Sequence, residues 1–289
     1  WKPPSRCEDA GMRFTKMQGI GNDYIFVNCF EEIVTDPARM AIAMSKPHFG
    51  VGSDGLVLIE PSDKADFGMR IFNADGSEAE MCGNATRCVG KFVYDRGLTE
   101  QTELTLSTKA GIRRLWLMPE NGRVQRVKVD MGTPELNPRR IGVDLPGAMV
   151  LRHRLQVLGQ TMFITAVSFG NPHCVIFVRD PEILDIEKLG PLLENHAIFP
   201  NRTNVEFVRV ARRDLLQMRV WERGSAETLG CGTGASAALV AAVLCGLADR
   251  TALVKLPGGS LEMMWNPEDN HVYMTGPAEF VFDGEWLLD

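Results

Sequence analysis

Two kinds of apolar segment recur along the chain, and they differ in length and in what bounds them. Tyr24–Val27 and Leu56–Glu60 are short aliphatic runs that read as strands. Ile71-Phe72 and Val220-Trp221 end two further strands, and after each a Gly-rich turn leads through a cysteine into an apolar stretch of helical length, Asn84–Arg96 or Thr233–Leu247. Gly97 and Gly246 then act as stop signals. The second helix, ASAALVAAVLCGLA, is apolar on nearly every face, so a sheet should wrap it; the first is only somewhat more polar. Strands over Arg123–Met131 and Leu151–Val157 bracket TPELNPRRIGVDLPGA, a Pro- and Gly-containing stretch that reads as a linker region.

The same order of elements twice points to an internal repeat, and one constant shift of 149 positions aligns it without a gap. MRIFNADGSEAEMCGN lies over MRVWERGSAETLGCGT, pairing Met69 with Met218, Arg70 with Arg219, Glu78 with Glu227, Cys82 with Cys231 and Gly83 with Gly232. Gly97-Leu98 falls on Gly246-Leu247, Gly21-Asn22 on Gly170-Asn171, and Phe14 on Phe163. Each dipeptide alone means nothing; one shift holding over all of them predicts two copies of one fold. Such copies are expected to pack about a pseudo-twofold axis with equivalent residues facing a common cleft, and domain interfaces are preferred ligand sites.

Composition narrows the class. The 289 residues are 45% hydrophobic and 24% charged, enough for a sizeable core and two domains of ordinary size. A net charge of −6 and a pI near 5.5 argue against nucleic acid or an anionic membrane as partner, which leaves a small-molecule substrate. No apolar run approaches the roughly 20 residues that span a bilayer, and WKPPSRCEDAG lacks the apolar segment of a signal peptide, so a cytoplasmic protein is expected. Met12 opens a pattern like a natural start, and residues 1–11 read as a loose extension or an expression remnant.

Seven cysteines without a CxxC pair should be free thiols. Five scattered histidines without HExxH or a zinc-ligand cluster give a metal no support, and none is expected. Cys82 in MCGNATR and Cys231 in GCGTGAS stand apart, because each immediately precedes a helix. Unpaired N–H groups and the dipole there lower a thiol from about 8.5 toward roughly 3.5–7.5, so a reactive thiolate can form at either cysteine, and the two are expected to work as a thiolate and thiol pair. Gly83 and Gly232 let a ligand approach the backbone, and the N–H groups of Asn84 and Thr233 can receive a carboxylate. A single free cysteine is usually an inert buried residue, which is the reading kept for Cys7, Cys29, Cys88, Cys174 and Cys245, with Cys88 and Cys245 inside the helices.

Two cysteines at equivalent helix starts suit inversion at carbon: one side removes a proton, the other delivers one, and the helix termini stabilise a carbanion spread into the α-carboxylate. No electron-sink cofactor is then required. A dinucleotide fingerprint fits GCGTGA poorly, because no strand is expected directly before it and the third glycine is misplaced. A dithiol redox protein is the remaining alternative, and it leaves the Asn-rich loops unexplained.

With GIGNDY, GVGSDG, FNADGSEAEMCGNATRC, GNPH, TNVEF, ERGSAETLGCGTGA and TGPAEFVFDGE in this order, the chain from Met12 onward resembles the diaminopimelate epimerase family. The resemblance implies a mixed α/β fold of two pseudo-symmetric domains, each a β-barrel-like wrap of strands around a central helix. The domains expected are 12–131 with a C-terminal strand 277–289, and 132–276. It implies interconversion of LL- and meso-diaminopimelate in lysine and peptidoglycan precursor synthesis, without cofactor, by a homodimer. Cys82 and Cys231 match the two catalytic bases, with Glu222 near the thiols and His173 adjoining the reacting centre. Asn22, Asn73, Asn171 and Asn204 match substrate-holding side chains, and Gly83, Asn84, Gly232 and Thr233 a carboxylate cradle. Glu222 and Arg223 match the groups that recognise the distal amino and carboxylate ends; a buried guanidinium there would grip the carboxylate bidentately. Some relatives carry Gln where Gly55 stands. Proline racemases and hydroxyproline epimerases share the two-cysteine plan, and the ERG and NPH motifs favour diaminopimelate.

Overall fold

The structure is a computed structural model that describes residues 11–287; Cys7 and residues 1–10 of the expected extension lie outside the described residues. In the first part of the chain come β1 (Met12–Gly19), β2 (Asn22–Asn28), α1 (Pro37–Ser45), β3 (Gly55–Glu60), β4 (Phe67–Asn73), β5 (Glu78–Ala79), α2 (Gly83–Asp95), β6 (Glu103–Thr108), β7 (Gly111–Glu120) and β8 (Arg123–Gly132). There follow α3 (Pro138–Ile141), β9 (His153–Val157), β10 (Gln160–Ser168), β11 (Pro172–Phe177), α4 (Ile186–Glu194), β12 (Asn204–Arg212), β13 (Leu215–Glu222), β14 (Ala226–Thr228) and α5 (Gly232–Leu244). The chain ends with β15 (Thr251–Leu256), β16 (Gly259–Trp265), β17 (Val272–Pro277) and β18 (Glu279–Trp286). Two compact units result: one extends to Val129 and resumes at Gly276, and the other is Asp130–Thr275.

The repeat read from the sequence is present in the strand pairing. In the first unit β2 and β3 are parallel, with Ile25 opposite Leu56 and Phe26 opposite Val57, while β3 and β4 are antiparallel, with Leu56 opposite Phe72. In the second, β11 and β12 are parallel, with Cys174 opposite Val205 and Val175 opposite Glu206, and β12 and β13 are antiparallel, with Val205 opposite Trp221. Every member of the second set lies 149 positions after its counterpart in the first, and the same shift carries α1 onto α4 and α2 onto α5. Parallel neighbours need a crossover, which α1 and α4 supply.

Period-two alternation gives each of these strands two buried faces. Leu56 and Leu58 join Met12, Ile25, Ala41 and Met44 in a core with α1, and Val205 and Phe207 join Cys174, Ile186 and Leu193 in a core with α4. The alternate residues, Val57 and Glu206 among them, point to the other face, toward the central helices. Both central helices are almost wholly buried; α2 lies against β1, β2 and β7, and α5 against β10, β11, β12, β13, β15 and β16. A helix apolar all round, as α5 is, must be buried, and here strands bury it. Approach is close at Gly90, where a Cβ would stand 2.9 Å from Leu117 and 3.0 Å from Leu115. On α5, truncating the fully buried Leu239 to Ala should cost about 2–5 kcal/mol.

Gly97 and Gly246 end the helices in the left-handed region, both at φ 73°. Three details differ from the sequence reading. The linker stretch contains α3, and its Ile141 and Val143 are buried in the second unit's core, because regularly spaced aliphatics in a Pro-rich segment can dock without a ladder. Cys245 caps the end of α5 instead of lying inside it. Phe14 is buried while its counterpart Phe163 is exposed. No described helix is long and apolar enough to cross a membrane.

Candidate active site

Both expected cysteines are N-caps in extended conformation: Cys82 (φ −135°, ψ 119°) opens α2 and Cys231 (φ −121°, ψ 110°) opens α5. Ser, Thr, Asp and Asn stabilise this position best, so a sulfur here forgoes stability for reactivity. The Cys231 sulfur accepts the Gly234 N–H at 3.4 Å. The six described cysteines are all free thiols.

In the first unit the side chains gather around Asn22. Its Oδ1 accepts from the Cys82 thiol at 3.4 Å and from Asn84 Nδ2 at 3.0 Å, while its own Nδ2 donates to Asp54 at 2.6 Å. Asn22 opens β2 just after a two-residue hairpin turn in which Ile20 and Gly21 both have positive φ, 53° and 82°. A buried β-branched residue is costly in that region, of order 1–3 kcal/mol, and the cost falls where a site residue must emerge. Behind them Arg87, fully buried, donates to Asn84 Oδ1 at 2.9 Å and to the Pro277 carbonyl at 3.0 Å; burial lowers its pKa to about 10. The Tyr24 hydroxyl faces Cys82, and burial raises its pKa well above the usual phenol value.

The second unit repeats the plan with different chemistry. Asn171 Nδ2 donates to Thr233 Oγ1 at 3.2 Å, the counterpart of the Asn84–Asn22 bond, and Thr233 Oγ1 lies 3.5 Å from the Cys231 sulfur. Asn171 Oδ1 lies 3.1 Å from His173 Nε2, and His173 Nδ1 lies 2.6 Å from Glu206 Oε1. Glu222 ends β13 beside the thiol and accepts from the Thr228 hydroxyl. Burial raises its pKa above the ordinary carboxyl value despite the hydrogen bonds from Thr228 and Cys231.

At Cys231 the surroundings oppose the thiolate form. Burial, reinforced by the Glu222 and Glu206 carboxylates, pushes its thiol well above the usual value and outweighs the Thr233 hydroxyl and the Gly234 N–H. The resting group is a thiol beside a carboxyl that can take its proton. Both units repeat an arginine clamp just upstream: Arg70 to Glu78 at 2.8 Å, and Arg219 to Glu227 at 2.6 Å.

Gly83, Gly232 and Thr233 lie in the first turns of α2 and α5 as expected. Three other candidates sit differently. Asn73 donates to Ser77 within its own turn. Asn204 is buried, with Nδ2 on the Pro172 carbonyl and Oδ1 on the Arg223 N–H, so both amide ends brace the backbone. The Arg223 side chain is exposed, against the expectation of a buried guanidinium, and reaches the Asn201 carbonyl at 3.2 Å. A short strand, β14, does precede Cys231, but it returns antiparallel to β13 in a hairpin. Among the described residues no three His, Cys, Asp or Glu side chains are placed to share a metal ion.

Sequence reasoning missed Tyr24, Asp54, Thr228 and Glu206. The shift of 149 held the clue: it sets His173 on Tyr24 and Glu206 on Val57, so an acidic residue occupies a position that is core in the other copy.

A family profile described as Diaminopimelate epimerase matches residues 14–137 and 165–281. The chain is 56% identical over 274 residues to the diaminopimelate epimerase of Acetivibrio thermocellus, covering 95% of this chain and 98% of that one. It is 53% identical over 274 residues to that of Methanococcus maripaludis strain C6, covering 95% and 99%. Among solved structures, the fold matches a PhzF-family phenazine biosynthesis protein of Bacillus anthracis with TM-score 0.69 at 17% identity, covering 96% and 99%. A hydroxyproline epimerase of Agrobacterium vitis matches with TM-score 0.69 at 16% identity, covering 99% and 93%.

Proposed function

The chain belongs to the diaminopimelate epimerase family, and we infer from this that it interconverts LL- and meso-diaminopimelate by a two-cysteine, cofactor-independent transfer of the α-proton. The observation that carries the reading is the repetition of one arrangement: a cysteine N-capping a buried helix, with an Asn hydrogen-bonded to the residue two positions on. Inversion needs a base on one face of the α-carbon and an acid on the other, and each unit contributes one thiol at a helix start. The thiolate takes the α-proton and the C–H electron pair passes into the α-carboxylate. The first-turn N–H groups of Gly83, Asn84, Gly232 and Thr233 are suited to hold that charge. The second thiol then delivers its proton to the opposite face.

Glu222, with its raised pKa, is the group to accept the Cys231 proton, and His173 adjoins the reacting centre. Asn22 and Asn171 orient the substrate, and Asn73 completes the set. Arg223, an exposed side chain, would close on the distal carboxylate, with Glu222 reading the distal amino group. Asn204 would act through the backbone it braces. The reading extends to a cytoplasmic homodimer that feeds lysine and peptidoglycan precursor synthesis; light scattering of the purified chain checks the dimer.

Incubation with LL-diaminopimelate in D2O, followed by mass spectrometry, tests the reaction. Deuterium should enter the inverted product, and epimerisation should vanish in Cys82→Ala and in Cys231→Ala. Exchange with proline or hydroxyproline alone would move the chain to the sister racemases, and no exchange with any amino acid would overturn the reading.

A further inference from the structure

We propose that Glu206 is a positioning residue: through His173 and Asn171 it fixes the first turn of α5 around Cys231. The inference rests on the diaminopimelate reading only for its kinetic test. Four observations within the second unit carry it.

Glu206 and His173 are both fully buried, 2.6 Å apart, so the pair is sealed from water. A carboxylate there carries a desolvation penalty that a structural role would avoid with an aliphatic residue. The other copy does so, with Val57 at the equivalent place and Tyr24 in place of His173. The partner position varies too. Gly234, where a Cβ would stand 2.9 Å from Glu206 Oε1, matches Ala85. The glycine makes room for the carboxylate, and the two differences belong together.

From the His173 ring toward Thr233 the hydrogen bonds run in one direction. Asn171 donates from Nδ2 to Thr233 at 3.2 Å, so its Oδ1 faces His173 Nε2 at 3.1 Å and must accept from it. Nε2 therefore carries a proton. Nδ1 meets Glu206 Oε1 at 2.6 Å, a separation that requires one proton between them. Among the described residues Glu206 Oε2 has no hydrogen-bond partner, so the carboxylate is anchored by this one contact and by the first turn of α5. From Oε1 the chain of contacts passes through the imidazole, the Asn171 amide and the Thr233 hydroxyl to the sulfur 3.5 Å beyond. Without Glu206, the ring is free to exchange tautomers, and Nε2 can present a lone pair to Asn171 Oδ1, which repels it.

The test uses the full chain and the variants Glu206→Gln, which keeps the shape, and Glu206→Val, which installs the residue of the other copy. In the ligand-free wild type, 15N-histidine NMR should show His173 protonated at Nε2, with a far-downfield exchangeable proton at Nδ1. That proton resonance should vanish in E206V and shift upfield in E206Q. With diaminopimelate, kcat should fall about 10- to 100-fold in E206V and less in E206Q, while KM changes less than about threefold. A wild-type spectrum in E206V, or unchanged kcat in a variant whose Nδ1 resonance is lost, would overturn the proposal. A wild type that shows the Nδ1 proton but epimerises no diaminopimelate would overturn the functional reading alone.

Discussion

Gly234→Ala sets two known effects against each other in the second unit. Glycine inside a helix costs about 0.8–1.0 kcal/mol relative to alanine, so propensity alone predicts a more stable protein. The added methyl would stand 2.9 Å from Glu206 Oε1, 3.2 Å from the Cys231 sulfur and 3.3 Å from Cys231 Cβ. Neither neighbour is a free-swinging chain end: the carboxylate is held by His173 and the sulfur by the Gly234 N–H. Overpacking of this kind costs about 1–3 kcal/mol. The difference is a net loss of up to about 2 kcal/mol, read by calorimetry as roughly 2–4 °C in Tm per kcal/mol. Because the atoms pushed aside include the reacting sulfur, kcat should fall about tenfold or more. In a Glu206→Val background the carboxylate is gone, and the pair becomes the Ala and Val that the first unit carries at Ala85 and Val57. There Gly234→Ala should cost less, with a coupling of about 0.5–3 kcal/mol. Effects that add to within about 0.5 kcal/mol, or a G234A protein that melts higher with unchanged kcat, would refute the packing argument.

Other outcomes follow from the same geometry. Burial raises the Glu222 pKa, so the folded chain resists its ionisation: that contribution to stability is present below the ordinary Glu range and is lost as pH rises toward the raised value. Glu222→Gln should therefore melt higher than wild type at neutral pH, with the gap closing near pH ~4, while epimerisation is largely lost; a gap that widened in acid would contradict the sign. Arg219 clamps Glu227 with two bonds and also donates to the Pro181 and Leu184 carbonyls, whereas Arg70 is more exposed. Urea unfolding should show Arg70→Ala costing about 0–1 kcal/mol and Arg219→Ala about 2–3 kcal/mol; equal losses would mean the extra carbonyl bonds contribute nothing. Burial lifts the Cys29 and Cys88 thiols to about 12 and Cys174 well above the usual value, so maleimide at pH ~8 should leave these three unlabelled in the native chain, as peptide mass spectrometry would reveal.

Much of the plan was readable because it depends on local and periodic features. Runs of β-branched residues, the glycines at 97 and 246 and the shift of 149 required no tertiary information, and the structure returns them as strands, helix stops and identical pairing registers. The N-cap position of each cysteine was equally local, since a Gly-rich turn before an apolar run marks a helix start.

What the sequence could not carry is everything that depends on who faces whom. The helix start allowed a thiolate at Cys231, yet the thiol is raised, because burial, reinforced by the Glu222 and Glu206 carboxylates, acts on it more strongly than its own helix does. Asn204 read as a ligand to substrate, and its amide is spent on Pro172 and Arg223, contacts that only the pairing of β12 with β11 and β13 creates. Glu206 drew no reading within TNVEF, and the alternation of β12 turns it inward, against a glycine and a buried imidazole. Sequence alone thus determined several strands, the two central helices, their duplication and the place of the two cysteines at helix starts, since these are set by neighbours along the chain. Tertiary structure decided the raised thiol of Cys231 and the supports around both cysteines, since solvation and electrostatics depend on distance through space.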